Sequence, residues 1–267
     1  VTRQSPKIGI YGFTGCAGDQ LMILNCEDQL VDLFGATEIR SFVMAKSDNH
    51  EGELDVAFVE GSISTDEQLS RLKEIRERSK LVVAIGTCAC HGGPQAMKLG
   101  ENKWEEMYKK VYGNAKITIS KAFEAQPIDA FVKVDMYIPG CPIDKGEFLE
   151  AVTKLVAGRH PYLYKFPVCM ECKWRENVCI LYAGRFCAGP LTKAGCGAVC
   201  PSHNLPCVGC WGPTDDLNVS SEYQLLKEKG YSPEEILQKI KKFGGAKVAQ
   251  LVKDLEIKKE TKKEAKA

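Results

Sequence analysis

Short apolar runs alternate with longer stretches of helical period over about the first 160 residues of the chain. Ile8-Gly9-Ile10-Tyr11-Gly12-Phe13 reads as a strand. Leu21, Leu24, Leu30, Leu33 and Phe34 then recur near helical spacing and predict one helix. Further strands are predicted at Ile39 to Met44, Asp55 to Val59, Lys80 to Ile85 and Val132 to Ile138. Ser64-Thr65-Asp66-Glu67 opens a charged helix expected to run to about Ser79, and another is expected from about Lys145 to Val156. Strands that are apolar along their whole length are buried on both faces, and their alternation with helices makes a parallel sheet. The fold class expected for residues 1–160 is therefore α/β, a flavodoxin-like doubly wound parallel sheet. The stretch from Gly100 to Ala130 fits no clean period and reads as an insertion.

Two regions follow. Residues 161–213 are rich in Cys, Gly and Pro and poor in periodicity, and predict a loop-dominated domain that depends on bound metal. Residues 214–267 predict a helical tail. Ser232-Pro233-Glu234-Glu235 is a capping box with proline at the first helical position, and Ile236, Leu237, Ile240 and Phe243 form the apolar face behind it, ended by Gly244-Gly245. Val248, Leu251, Val252 and Leu255 make a second stripe, and a Lys/Glu-rich, disordered end is expected for the last ten residues.

Charge changes this picture little. Lys+Arg number 36 and Asp+Glu 35 among 267 residues, a formal net charge of +1, so neither nucleic acid nor an anionic membrane is an expected partner. No apolar run approaches the roughly 20 residues of a membrane helix. The opening Val1 to Pro6 lacks the charged-then-apolar pattern of a secretory signal, which makes a cytoplasmic chain the expectation.

Cysteine changes it a great deal. Thirteen are present, five before residue 169 and eight between Cys169 and Cys210. A reducing compartment disfavours a disulfide framework and an odd count excludes complete pairing, so the cysteines point to metal. In an open parallel sheet ligands bind beyond the carboxyl ends of the strands. Three of the loops expected there carry cysteine among glycines: Thr14-Gly15-Cys16-Ala17-Gly18-Asp19, Gly86-Thr87-Cys88-Ala89-Cys90-His91-Gly92-Gly93 and Pro139-Gly140-Cys141-Pro142. The loop after the third strand is Glu60-Gly61-Ser62. An iron–sulfur cluster takes four ligands, usually thiolates, and Cys16, Cys88 and Cys141 supply three. Asp19 stands where Cys-x-x-Cys would put the fourth, and a carboxylate can ligate iron. The alternatives are an Asp that only caps a helix, a vacant iron, or Cys90 as the fourth ligand. The glycine series lacks the Gly-x-Gly core of a nucleotide-binding turn.

The second group reads Cys169-x2-Cys172-x6-Cys179-x7-Cys187-x8-Cys196-x3-Cys200-x6-Cys207-x2-Cys210. Eight is two sets of four, compatible with two structural zinc sites or with two four-iron clusters. A redox site in the first region favours clusters, since three in one chain make a relay. Sequential grouping puts Cys169, Cys172, Cys179 and Cys187 in one set and Cys196, Cys200, Cys207 and Cys210 in the other.

Together these motifs resemble the small subunit of nickel–iron hydrogenases. The residues that carry the resemblance are Gly15-Cys16-x-Gly18, Val59-Glu60-Gly61-Ser62, Gly86-Thr87-Cys88-Ala89 with Gly92-Gly93, and Pro139-Gly140-Cys141-Pro142. It continues through Cys187-Ala188-Gly189-Pro190, Gly195-Cys196-Gly197-Ala198-x-Cys200-Pro201 and Pro206-Cys207-x-Gly209-Cys210, and spans about residues 7 to 213. Within the family the chain is most similar to the cytosolic, multi-subunit group, above all the delta subunits of sulfhydrogenases, which exchange electrons with NADP. Periplasmic members carry histidine where Cys169 stands and proline near Cys200, with a three-iron middle cluster. The cysteines here imply four irons instead.

The resemblance implies an oxidoreductase subunit with three [4Fe-4S] clusters and no catalytic residue of its own. The cluster of Cys16, Asp19, Cys88 and Cys141 would be proximal to a nickel–iron site on a separate large subunit. The Cys196–Cys210 set would be medial and the Cys169–Cys187 set distal, facing flavin- and iron–sulfur-containing diaphorase-type subunits. The alternatives are the small subunit of a methyl-viologen-reducing hydrogenase feeding heterodisulfide reductase, or an iron–sulfur subunit of a quinone reductase. Glu60 lies beside the proximal motif, either as a structural carboxylate or interacting with the large subunit or a proton path. Cys26 and Cys90 are expected to be bystanders, His91 and His203 local hydrogen-bonders, and Trp174 and Trp211 shields of the cluster loops.

Overall fold

The computed structural model describes residues 5–97, 99, 104–113, 115, 122–243 and 245. The chain divides into two compact units, Val1–Leu163 and Tyr164–Ala267. The first runs β1 (Lys7–Gly12), α1 (Gly18–Leu24), α2 (Asp28–Ala36), β2 (Glu38–Phe42), β3 (Leu54–Glu60), β4 (Ile63–Thr65), α3 (Asp66–Arg78), β5 (Ser79–Ile85), α4 (Gly86–His91), α5 (Trp104–Tyr112), β6 (Ala122–Gln126), β7 (Met136–Ile138) and α6 (Lys145–Val156).

Five strands form one sheet in the order β2-β1-β3-β5-β7, every pair parallel. Counting only these strands the order is 2-1-3-4-5, that of a flavodoxin-like sheet, with its topological switch between β1 and β3. The apolar run of β3 fills both faces. Val56 and Phe58 pack with Ile8, Ile10, Val83, Ile85 and Phe148, whereas Ala57 and Val59 pack with Tyr11, Val82, Ala84, Leu72 and Ile75. Thr65 caps α3 by accepting the Gln68 N–H at 3.3 Å, and Asp144 caps α6 by accepting the Glu147 N–H at 2.9 Å.

The single helix expected over Leu21 to Phe34 is two helices. The chain turns between them at Glu27, which has φ 48°. The last sheet strand is shorter than expected, because only Met136–Ile138 pairs with β5. The region that looked like an insertion contributes α5 and also β6, which pairs antiparallel with β4 in a separate two-stranded sheet.

The second unit contains α7 (Val168–Trp174), α8 (Val199–Ser202) and α9 (Val219–Glu228), with helical residues 233–243 as α10. Its core joins the cysteine-rich loops to the following helices: Ile180, Phe186 and Leu191 pack with Val219, Tyr223, Leu226, Ile236 and Ile240. The capping box before α10 forms in both directions, Ser232 Oγ accepting from the Glu235 N–H at 3.2 Å and the Glu235 carboxylate from the Ser232 N–H at 2.9 Å. The stripe Val248, Leu251, Val252 and Leu255, and the last ten residues, lie outside the described residues. Among the described residues no helix is long and apolar enough to cross a membrane.

Candidate functional site

Register brings the first group of cysteines to one end of the sheet. Gly12 pairs with Glu60, Glu60 with Ile85, and Ile85 with Ile138, so four neighbouring strands finish level. Cys16, Cys88 and Cys141 each follow within four residues of that row. The loops are tied to one another by backbone bonds. Thr14 and Ser62 exchange N–H···O bonds of 3.0 and 2.8 Å, and the Thr87 N–H donates to Gly140 O at 2.7 Å. Gln95, which no spacing singles out, bridges two loops: its Nε2 donates to Thr14 O at 3.1 Å and its Oε1 lies 3.5 Å from Cys88 Sγ. Burial pushes the Cys88 thiol up to about 11; the Gln95 contact offsets this, and the charges of Asp19, Cys141 and Cys16 add to it. The four expected members of this set are therefore electrostatic neighbours. Cys16 and Cys141 are exposed at the sheet end and Cys88 is buried.

Beside them lies a buried carboxyl pair. Asp19, in the first turn of α1, is 5 % exposed and Glu60, at the end of β3, is 2 % exposed. Asp19 Oδ1 accepts the Ile143 N–H at 2.9 Å. Glu60 accepts from the Asp19 N–H at 3.3 Å and from Gln20 Nε2 at 2.8 Å. Burial, then the nearby Glu60 charge, lifts the Asp19 carboxyl above the ordinary carboxylate range. Asp19 Oδ2 is packed so closely on Gly86 (φ 75°) that a Cβ there would stand 1.8 Å from it. At Gly93 (φ 64°) a Cβ would stand 2.6 Å from Cys88 Sγ. Both glycines keep space next to candidate ligands in a backbone conformation that other residues resist.

In the second unit several of the cysteines are electrostatic neighbours. Burial, followed by the charges of Cys187, Cys172, Glu222 and Cys179, pushes the Cys169 thiol up to about 12. A Cβ on Gly189 would meet Cys169 Sγ at 3.2 Å and Cys187 Sγ at 3.5 Å. Cys196 is raised by burial, then by Glu171, with Cys200 contributing. Cys207 is raised by burial, with Cys187 and Cys210 adding. Backbone N–H groups point at the sulfurs. Those of Gly189 and Cys207 bond Cys187, those of Ala198 and Val199 bond Cys196, and that of Gly209 bonds Cys207. The Cys207 N–H lies 3.4 Å from Cys187 Sγ, a direct contact between members of the two sets expected from the sequence. Asn177 Nδ2 lies 3.6 Å from Cys172 Sγ and 3.0 Å from Ser202 Oγ, and so links Cys172 to α8. Cys210 is partly buried.

None of the thirteen cysteines is in a disulfide. Among the described residues no three His, Cys, Asp or Glu side chains converge as a chelate for one ion. Each ligand of an iron–sulfur cluster binds its own iron, so neighbouring soft thiols with N–H groups aimed at sulfur suit such a group. Cys26 is fully buried, its Sγ 3.6 Å from Met22 O, and Cys90 turns into the core with its Sγ 3.5 Å from Ala84 O. His91 is half-buried at the end of α4 and His203 is exposed after α8. Trp211 is buried. Trp174 is 64 % exposed and sits edge-on to Phe166, whereas Val168 and Glu171 of the same helix are buried. Gln20, Gln95, Glu171 and Asn177 act through contacts distant in sequence, and no local pattern marks them.

Residues 16–155 match the family model of the NADH ubiquinone oxidoreductase 20 kDa subunit. The chain is 41 % identical over 238 residues to sulfhydrogenase 2 subunit delta of Pyrococcus furiosus, covering 89 % of this chain and 98 % of the relative. It is 33 % identical to a subunit of the vhu F420-non-reducing hydrogenase of Methanocaldococcus jannaschii, covering 88 % of this chain and 92 % of that relative. A chain of an NAD+-reducing [NiFe]-hydrogenase, solved in the H2-reduced state, is similar in fold with a TM-score of 0.54 at 24 % identity, over 60 % of this chain and 96 % of that one.

Proposed function

Because the chain belongs to the NADH ubiquinone oxidoreductase 20 kDa subunit family and, within it, to the small subunits of [NiFe] hydrogenases, we propose that it is the electron-transfer subunit of a cytoplasmic hydrogenase complex. Its partners are a nickel–iron large subunit and flavin- and iron–sulfur-containing subunits that exchange electrons with NADP. Three [4Fe-4S] clusters, when bound, supply one-electron carriers between those partners. Cys16, Asp19, Cys88 and Cys141 hold the first. Cys169, Cys172, Cys179 and Cys187 hold the second, and Cys196, Cys200, Cys207 and Cys210 the third.

The observation that carries this reading is the gathering of Cys16, Cys88 and Cys141 at the level carboxyl ends of β1, β5 and β7. The chain's own groups then have definite tasks. Gln95 and the Thr14–Ser62 and Thr87–Gly140 bonds hold the first three loops in register. Asp19 is held by the Ile143 N–H on Oδ1 and by its packing on Gly86, and would supply the fourth ligand. In the second unit N–H groups bonded to sulfur stabilise added negative charge, and burial keeps water from Cys187 and Cys207.

Anaerobic isolation of the complex tests the reading. A nickel-containing large subunit should co-purify, and hydrogen should reduce the iron–sulfur signals and NADP. A preparation with the large subunit that never reduces these signals under hydrogen would contradict it. A heterodisulfide reductase or quinone reductase partner in place of the flavin subunits would move the assignment to one of those complexes. Asp19→Cys tests the fourth ligand: the potential of the first cluster should change, and an unchanged spectrum and potential would remove Asp19 from the ligand set.

A further inference from the structure

Glu171 lies on α7 between Cys169 and Cys172, yet its carboxylate serves the other set of cysteines. It is 7 % exposed. Oε1 accepts the N–H groups of Gly195 at 3.0 Å and Gly197 at 3.1 Å, one on each side of Cys196. Oε2 lies 3.9 Å from Cys196 Sγ. Just past the end of α7, the Arg175 guanidinium lies over Gly197, where a Cβ would stand 3.0 Å from Nη2. The backbone donors of this loop are thus divided: those of Gly195 and Gly197 go to Glu171, and those of Ala198 and Val199 go to the Cys196 sulfur. A buried carboxylate within van der Waals reach of a ligand sulfur opposes the gain of an electron there, because both are negative and the surroundings screen poorly.

We infer that Glu171 is a positioning residue that fixes the Cys196 loop against the helix bearing Cys169 and Cys172, and that its charge lowers the reduction potential of the cluster held by Cys196, Cys200, Cys207 and Cys210. The inference rests on the proposed reading of the eight cysteines as two cluster sites. Glu171→Gln separates the two roles, since the amide oxygen keeps both N–H bonds while the charge is lost. Glu171→Ala removes both.

The test is redox titration followed by electron paramagnetic resonance, with iron counting, on the full chain in its anaerobically purified complex. The relevant signal is the one lost in Cys200→Ala. In Glu171→Gln the iron content should equal that of the wild type. At fixed potential the ratio of reduced to oxidised cluster should rise about tenfold, equivalent to about 59 mV for a one-electron couple. Glu171→Ala should lose this cluster's iron. A Gln variant with full iron and an unmoved potential would overturn the electrostatic role, as would one that loses the iron despite retaining the acceptor. An Ala variant with full iron and an unaltered signal would overturn the positioning role. If the wild-type complex shows no signal that Cys200→Ala abolishes, the two-cluster reading itself fails, which these outcomes keep distinct.

Discussion

The packing of Asp19 on Gly86 supports a quantitative prediction. Gly86 has φ 75°, and an alanine Cβ there would stand 1.8 Å from Asp19 Oδ2 and 2.4 Å from its Cγ. Gly86→Ala therefore carries two separable costs. Placing a residue with a Cβ in the left-handed region costs about 1–2 kcal/mol. Driving Asp19 out breaks its bond to the Ile143 N–H and orphans a buried donor, about 1–3 kcal/mol more. The expected loss is about 2–5 kcal/mol. Asp19→Ala alone orphans the same N–H and costs about 1–3 kcal/mol. In the double variant the clash is gone and that N–H is counted once, so the two changes should fall short of additivity by about 1–3 kcal/mol. Anaerobic urea unfolding of the full chain, followed by circular dichroism, measures all four corners of the cycle. Strict additivity, or a neutral Gly86→Ala, would refute the proposed packing and, with it, the argument that the Gly86 turn holds the Asp19 carboxyl beside the cysteines.

Three further outcomes follow from the same contacts. Burial raises the Glu222 carboxyl from the usual 4.5 to about 7, and its Oε1 has no hydrogen-bond partner among the described residues. Between those values the folded state holds a proton that the unfolded state releases. Stability conferred below pH 4.5 is therefore lost as pH rises to 7, by roughly 3 kcal/mol, and Glu222→Gln should flatten that slope in unfolding measured across pH; an identical slope would contradict the burial argument. Ser232→Ala should cost about 1 kcal/mol by removing the cap on the Glu235 N–H, measurable as a lower urea midpoint. Gly93→Ala should lower the iron bound per chain by crowding Cys88 Sγ, where its Cβ would stand at 2.6 Å; unchanged iron would mean that this space is not needed.

Much of the first unit was legible in the sequence because its information is local. The apolar runs of β1, β3 and β5 and the full extent of α6 follow from periodicity, and the cysteine-bearing loops follow from where those strands stop. The break between α1 and α2 was not legible: Leu21, Leu24, Leu30 and Leu33 keep helical spacing across it, and the turn lies in the backbone at Glu27. The pairing of β6 with β4 joins residues about sixty positions apart, which no run of residues announces. The same limit hid the groups that organise the sites. Cysteine declares its chemistry by type and spacing, whereas Gln20, Gln95, Glu171 and Asn177 acquire theirs only when folding brings a distant carboxylate, carbonyl, N–H or hydroxyl within reach. Asp19 lies between these cases, marked by its place in Cys16-x-x-Asp19 but given its environment by Glu60, Gly86 and Ile143.

The central claim is that eleven cysteines and one aspartate hold three four-iron clusters. Iron, acid-labile sulfide and zinc measured together on the anaerobically purified complex test it most directly, with iron and sulfide of the partner subunits subtracted. The account predicts roughly twelve irons and twelve sulfides for this chain and no stoichiometric zinc. Zinc at about two per chain, with no sulfide attributable to it, would contradict the account and make the cysteine-rich unit a structural metal scaffold.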